Sequence, residues 1–118
     1  MTLNNTLTVA ANSTPESNLD ALRDSARQAS DLLKALSNEH RLLILCHLSQ
    51  SEMSVGEIQR AIGLGQSALS QHLARLRQDQ LVKTRRVAQT IFYSLNGEEA
   101  RSIIGVLYEL YCAPEQQQ

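Results

Sequence analysis

The sequence contains no apolar run approaching the roughly 18 to 20 residues needed to span a bilayer, so no membrane partner is expected. Its opening stretch, "MTLNNTLTVAANSTPESN", lacks a basic start followed by an apolar core. It does not read as a signal peptide, and a cytoplasmic location is the expectation. Cysteine is scarce. The two present, Cys46 and Cys112, lie far apart, which in a reducing compartment suits free thiols better than a structural disulfide. There is no C-x-x-C, no assignable Ser/His/Asp arrangement and no glycine-rich phosphate loop. An enzyme is therefore not expected, and no cofactor is implied.

What is present fits one domain. At 118 residues and 42% hydrophobic content the chain can bury a core, yet is small enough that dimerisation would help it. Residues 1–18 are polar, rich in Asn, Ser and Thr, and are expected to be a disordered lead-in; 19–113 form the domain and 114–118 a flexible tail. The formal net charge of -1 hides an uneven distribution. Between Gln66 and Thr90 stand Arg75, Arg77, Lys83, Arg85 and Arg86 against Asp79 alone, a local charge of +4. A near-neutral protein with one basic third is a candidate polyanion binder through that third.

Leu22, Ala26, Ala29, Leu33 and Leu36 alternate at four and three, predicting a first helix with one apolar stripe over Leu19 to Leu36. "LSNEHR" interrupts it, and Ser37 or Asn38 can cap a second helix carrying Leu42, Leu45, Cys46 and Leu48. Ser54 and Glu57 have the spacing of a capping box, opening a short helix to about Ile62. "GLG" then makes a tight turn before the helix "QSALSQHLARLRQ". Val82, Val87, Ile91, Phe92, Tyr93 and Leu95 surround "RRVAQT" as a two-stranded hairpin. Asn96 with Glu99 offers a further capping pattern, before a last helix with Ala100, Ile103, Ile104, Leu107, Leu110 and Tyr111 on its apolar face.

Two short helices joined by a Gly-containing turn and followed by a basic hairpin have the layout of a winged helix-turn-helix: mainly α with a β-hairpin wing. Leu69, Leu73 and Leu76 are spaced to face inward on the second of these helices. Ser67, Ser70, Gln71, Ala74 and Gln78 then fall on the opposite side, with Gln66 at its start and Arg75 flanking it. A face entering the major groove needs short side chains or neutral donors and acceptors: Gln can pair with adenine, and Ser can donate to a base or a phosphate. A surface helix decorated by chance with Ser and Gln is the plainer reading, which the glycine turn and basic hairpin weigh against. Lys83, Arg85 and Arg86 suit phosphates or a minor groove, with Gln89 and Thr90 at the hairpin tip. Taken alone, the same hairpin also reads as a charged edge strand protected against aggregation. His72 borders both sides; it is either a phosphate contact or a half-core histidine.

"LLKALSNEHRLLILCHL", "SVGEIQRAIGLGQSALSQHLARLRQDQLV" and "RRVAQTIFYSL" together resemble the ArsR/SmtB family of bacterial winged-helix repressors, over about Asp31 to Cys112. The resemblance implies a homodimer built on the first and last helices, binding double-stranded DNA at a palindromic operator. Some members of that family carry a "CVC"-like cluster where this chain has Met53, Ser54 and Val55, and others use Asp and His on the last helix, which here has no His. His40, His47 and His72 make no compact ligand set, whereas a closed zinc site wants four ligands, so no metal is assigned.

Cys46 follows Leu42 by four residues and is expected to point inward, while Cys112 ends the last helix beside Tyr111. From the residues alone, two inert thiols and a reactive pair stand as open readings. "LLILCHL" with "LYELYC" is similar to the BigR, SqrR and HlyU branch of the family. That resemblance implies a switch in which Cys46 and Cys112 become linked, directly or through extra sulfur, in response to reactive sulfur species or oxidants. Alternatives are a regulator of the same family without a cysteine switch, either metal-sensing or an antagonist of another DNA-bound protein. A thiol enzyme or a protein-interaction module would be a different class.

Overall fold

The computed structural model describes residues 15–112 and divides into two units, one ending at Leu33 and the other beginning at Lys34. The expected tail, and the expected lead-in as far as residue 14, lie outside the described residues. Helix α1 (Pro15–Leu36) begins within the stretch expected as lead-in; proline suits a first helical position, where a missing N–H costs nothing. Of its expected stripe, Leu36 is buried, whereas Leu22 and Leu33 are exposed.

In the second unit, α2 (Glu39–Gln50) starts at Asn38, whose side-chain oxygen accepts from the backbone N–H groups of His40 and Arg41, both at 3.0 Å. Two of the donors a helix leaves unsatisfied are thereby paired. Arg41 in turn donates from Nε to the Ala35 carbonyl at 2.8 Å and from Nη2 to that of Lys34 at 3.3 Å, covering carbonyls just before the Asn38 cap. Ile44, Leu45 and Leu48 carry the buried face of α2; Cys46, expected inward, is only half-buried because it turns off that line.

A short strand, β1 (Met53–Ser54), leads directly into α3 (Val55–Ile62). The capping box forms as the spacing predicts: Ser54 Oγ accepts from the Glu57 N–H at 3.2 Å, and Glu57 Oε1 accepts from the Ser54 N–H at 2.8 Å. Gly63 then ends α3 with a φ of 81°, a left-handed conformation that glycine adopts without a Cβ clash. Helix α4 (Gln66–Gln78) follows, and its stop is less obvious from sequence. The Leu81 N–H donates to the Leu76 carbonyl at 2.9 Å and the Gln80 N–H to that of Arg77 at 3.0 Å, with Gln80 at a φ of 61°. This is a Schellman cap with Gln where Gly is usual, helped by buried Leu76 and Leu81 at its two ends.

Strands β2 (Val82–Val87) and β3 (Thr90–Leu95) are antiparallel, and β1 adds to the other edge of β3, so the expected two-stranded hairpin is a three-stranded sheet of order β1-β3-β2. A two-residue strand has too little periodicity to announce itself. The wing turn consists of Ala88 and Gln89, and Thr90 belongs to β3, paired with Val87. Ala88 has a φ of 55°, the positive value that tight hairpin turns require at their first position.

Helix α5 (Glu98–Tyr111) closes the unit, packing on α2. The expected Asn96 cap does not form: the N-cap is Gly97, without a side-chain hydrogen bond. Asn96 instead donates from Nδ2 to the Gln80 carbonyl at 2.9 Å, holding the end of β3 to the left-handed exit of α4. Glu98 and Glu99 in the first turn of α5 complement the helix dipole in its place. The core joins Ile44 and Leu45 of α2, Ile58 of α3, Leu69 and Leu76 of α4, Leu95 and Ile104.

Candidate nucleic-acid interface

Leu69, Leu73 and Leu76 are buried along one line of α4, each contributing about 1.5–3 kcal/mol by leaving water. Anchoring that side turns the other outward. Gln66, Ser67, Ser70, Gln71, Ala74 and Gln78 are all exposed, as the spacing predicts. The outward face is almost free of formal charge along its length, and Arg75, which flanks it, is held by Asp79 at 2.9 Å.

His72 lies half-buried between these two sides, its ring 5.8 Å from that of His40. Burial first, then the charges of Arg41 and His40, push the His72 imidazole below its ordinary range. The shift favours the uncharged ring, which can hydrogen-bond without adding a cation to this face. The pairing with His40 is a long-range contact that neither histidine's spacing reveals.

The wing places Lys83, Arg85 and Arg86 on β2, all exposed, with Gln89 in the turn and Thr90 at the start of β3. Strand alternation puts Lys83 and Arg85 on one face and Arg86 on the other. Sequence spacing treats the three cations alike; the structure does not. Arg85 sits opposite Phe92 and lies back over its ring, with 5.0 Å from guanidinium carbon to ring centre. Its Nε and Nη2 reach the Glu52 carboxylate at 2.9 and 2.8 Å, a two-pronged ion pair. That bond, with the nearby charges of Arg85 and Lys83, holds the Glu52 carboxyl below the usual carboxylate range. Glu52 escaped notice because it lies 33 residues from Arg85 in a segment with no motif.

Away from this surface, Cys46 on α2 and Cys112 at the end of α5 are both free thiols, the first half-buried and the second exposed. Burial pushes the Cys46 thiol up, and the nearby Cys112 thiolate pushes it further. The fold thus brings the two into electrostatic range of each other. Among the described residues, no three His, Cys, Asp or Glu side chains cluster as they would around a metal ion. No described helix is long and apolar enough to cross a membrane.

A helix held by three leucines behind a neutral polar face, entered through a glycine turn and followed by a basic three-stranded wing, defines a winged helix-turn-helix of the DNA-binding class. Residues 38–84 match the model for "Bacterial regulatory protein, arsR family". The chain is 50% identical over 99 residues to the transcriptional activator HlyU of Vibrio cholerae, covering 84% of this chain and 92% of that protein. It is 39% identical over 106 residues to the biofilm growth-associated repressor of Xylella fastidiosa, covering 90% and 93%. The structure of reduced HlyU from Vibrio cholerae superposes with a TM-score of 0.77 at 50% identity, covering 79% of this chain and 98% of that one. The homodimeric winged helix-turn-helix DNA-binding domain of Mb0332 from Mycobacterium bovis, a possible ArsR-family regulator, gives 0.68 at 30% identity, covering 77% and 84%. The chain belongs to the arsR family of bacterial regulatory proteins. It is a DNA-binding transcriptional regulator, and its relatives are regulators rather than enzymes.

Proposed function

We propose that this chain acts as a homodimer on a palindromic operator, as a repressor whose hold on DNA is released when Cys46 and Cys112 are linked. The observation that carries the DNA half of this reading is the division of α4 into a leucine-anchored side and an exposed neutral side. In it Ser67, Ser70 and Gln71 meet base edges, Gln66 and His72 border them, and Arg75, Lys83, Arg86, Gln89 and Thr90 lie toward the backbone. Arg85 shares the wing but is already bound by Glu52. Residues 19–113 serve as the DNA-binding and dimerisation domain, between a lead-in and a tail, in the cytoplasm.

Dimerisation is supported by apolar side chains that a lone chain leaves in water. On α5 Val106, Leu110 and Tyr111 are 55%, 58% and 75% exposed; on α1 Leu19, Leu22 and Leu33 are exposed as well. The homodimeric Mb0332 domain is a precedent in the same fold. Two-fold symmetry in the protein calls for a matching palindrome in the DNA.

The switch follows from the unequal setting of the two thiols. Exposed Cys112 attacks the outer sulfur of a persulfide, expelling the thiolate of the donor and becoming a persulfide itself. The Cys46 thiol, losing its proton, then attacks the inner sulfur and expels hydrosulfide, leaving a disulfide; attack on further added sulfur leaves a longer bridge. With peroxide, Cys112 becomes a sulfenic acid and Cys46 displaces water from it. Either product ties α2 to the end of α5. That a similar structure is distinguished as reduced HlyU supports a thiol state that matters.

Gel-shift titration against a palindromic promoter fragment, before and after persulfide treatment, tests both halves. Gln71→Ala should relax sequence preference, whereas Arg86→Ala should weaken binding to every duplex and lower the salt slope by about 0.9. Salt-insensitive or undetectable binding would sink the DNA reading. Unchanged intact mass and affinity after persulfide and peroxide would sink the switch. A second reading is favoured by the activator name of the 50% identical relative: DNA binding that raises transcription by displacing another bound protein. Transcription in vitro, with and without the competing protein, separates the two.

A further inference from the structure

The ion pair at the base of the wing has a consequence for DNA binding. We propose that Glu52 is a specificity-determining residue that stands in for a DNA phosphate, occupying the guanidinium fork of Arg85 and withholding it from sequence-independent backbone contact. The proposal rests on the reading that the wing lies along the phosphates.

The geometry is that of phosphate recognition turned inward. Arg85 presents two parallel N–H donors, and the Glu52 oxygens take both at 2.9 and 2.8 Å. A carboxylate and a phosphate compete for the same planar fork, which cannot serve both in two-pronged form. Phe92 helps to hold this arrangement. It is the central residue of a row in which Ser54 of β1 pairs on one side and Arg85 of β2 on the other. Laid over that ring, the Arg85 side chain runs across the sheet toward Glu52, away from the Ala88–Gln89 turn. Glu52 also senses the charge of Lys83, which shares the outer face with Arg85, so one carboxylate tempers two cations there. Arg86, on the opposite face, forms no ion pair among the described residues and keeps its full charge for DNA.

A regulator gains from such restraint. Each phosphate contact strengthens binding to all duplexes equally and so adds to the competition from non-specific sites, while base contacts alone separate an operator from the rest. Removing the carboxylate should free Arg85 for one further phosphate.

The test is the salt dependence of binding to a random-sequence duplex, followed by fluorescence anisotropy, for wild type, Glu52→Gln, Glu52→Ala, Arg85→Ala and Glu52→Gln/Arg85→Ala. Both Glu52 variants should bind more tightly, with the slope of log K against log salt steeper by about 0.9. Their advantage should therefore shrink about threefold between roughly 50 and 200 mM salt. The double variant should return to the slope of Arg85→Ala, and Arg85→Ala alone should differ little from wild type. An unchanged slope, or weaker binding by the Glu52 variants, overturns the proposal; weaker binding would mean that Glu52 positions Arg85 for DNA. Arg86→Ala is the control for the wing itself. A lower slope there with no response to Glu52 removal refutes the stand-in alone, whereas no response at Arg86 refutes the wing's place on the phosphates as well. Matching thermal melts among the variants exclude a folding cause.

Discussion

Alkylation of the two cysteines should proceed in a fixed order, Cys112 before Cys46, and the order can be worked from their surroundings. An ordinary thiol with a pKa of about 8.5 is roughly 3% thiolate at pH 7. Cys46 falls below that, because burial and the neighbouring Cys112 both disfavour its charged form. Each unit of increase costs tenfold in thiolate, but the more basic thiolate is about threefold more nucleophilic, leaving a net loss of about threefold per unit. Half-burial adds a steric handicap that exposed Cys112 does not share. At pH 7, iodoacetamide followed by peptide mass spectrometry should thus label Cys112 faster than Cys46. The Cys46 rate should still be climbing through pH 8 to 9, because burial and Cys112 raise its pKa. In urea the two rates should converge. Faster labelling of Cys46 at pH 7, or a Cys46 rate that levels off below pH 8, would refute the reasoning. In the switch itself, Cys46→Ser should still take up one sulfur at Cys112, while Cys112→Ser should respond slowly or not at all.

Two further outcomes concern stability. Asn38→Ala removes a cap that accepts from two backbone N–H groups and should cost about 1 kcal/mol in urea unfolding; no loss would mean that water replaces the cap fully. His72 has its pKa depressed in the folded protein, so the unfolded chain takes up the proton more readily. Its contribution should be present above about pH 6.5 and lost as pH falls through the folded value, a dependence that His72→Gln should abolish.

The long helices and the exposed neutral face of α4 were legible in the sequence because they depend on short-range periodicity. Leu69, Leu73 and Leu76 recur at helical spacing, and whichever side they bury, Ser67, Ser70 and Gln71 must face away. The Ser54–Glu57 box was equally local, since both partners lie within one turn. Misreadings arose where a residue had a stronger partner elsewhere. Asn96 looked like a cap but bonds the Gln80 carbonyl, and Gln80 ends α4 in a conformation usually left to glycine. Cys46 looked inward from its spacing to Leu42, but Leu42 is itself only half-buried, and the buried line of α2 runs through Ile44, Leu45 and Leu48.

By itself, then, the order of amino acids determined the types of the longer elements, the leucine anchor and the neutral face of α4, because backbone periodicity and side-chain chemistry act over three or four residues. Only the tertiary structure decided which cations of the wing are available, which thiol meets solvent, and which histidine neighbours His72. Those outcomes depend on contacts closed across many residues, such as Glu52 to Arg85 and α2 to α5, whose energies exist only once the chain has brought the partners together.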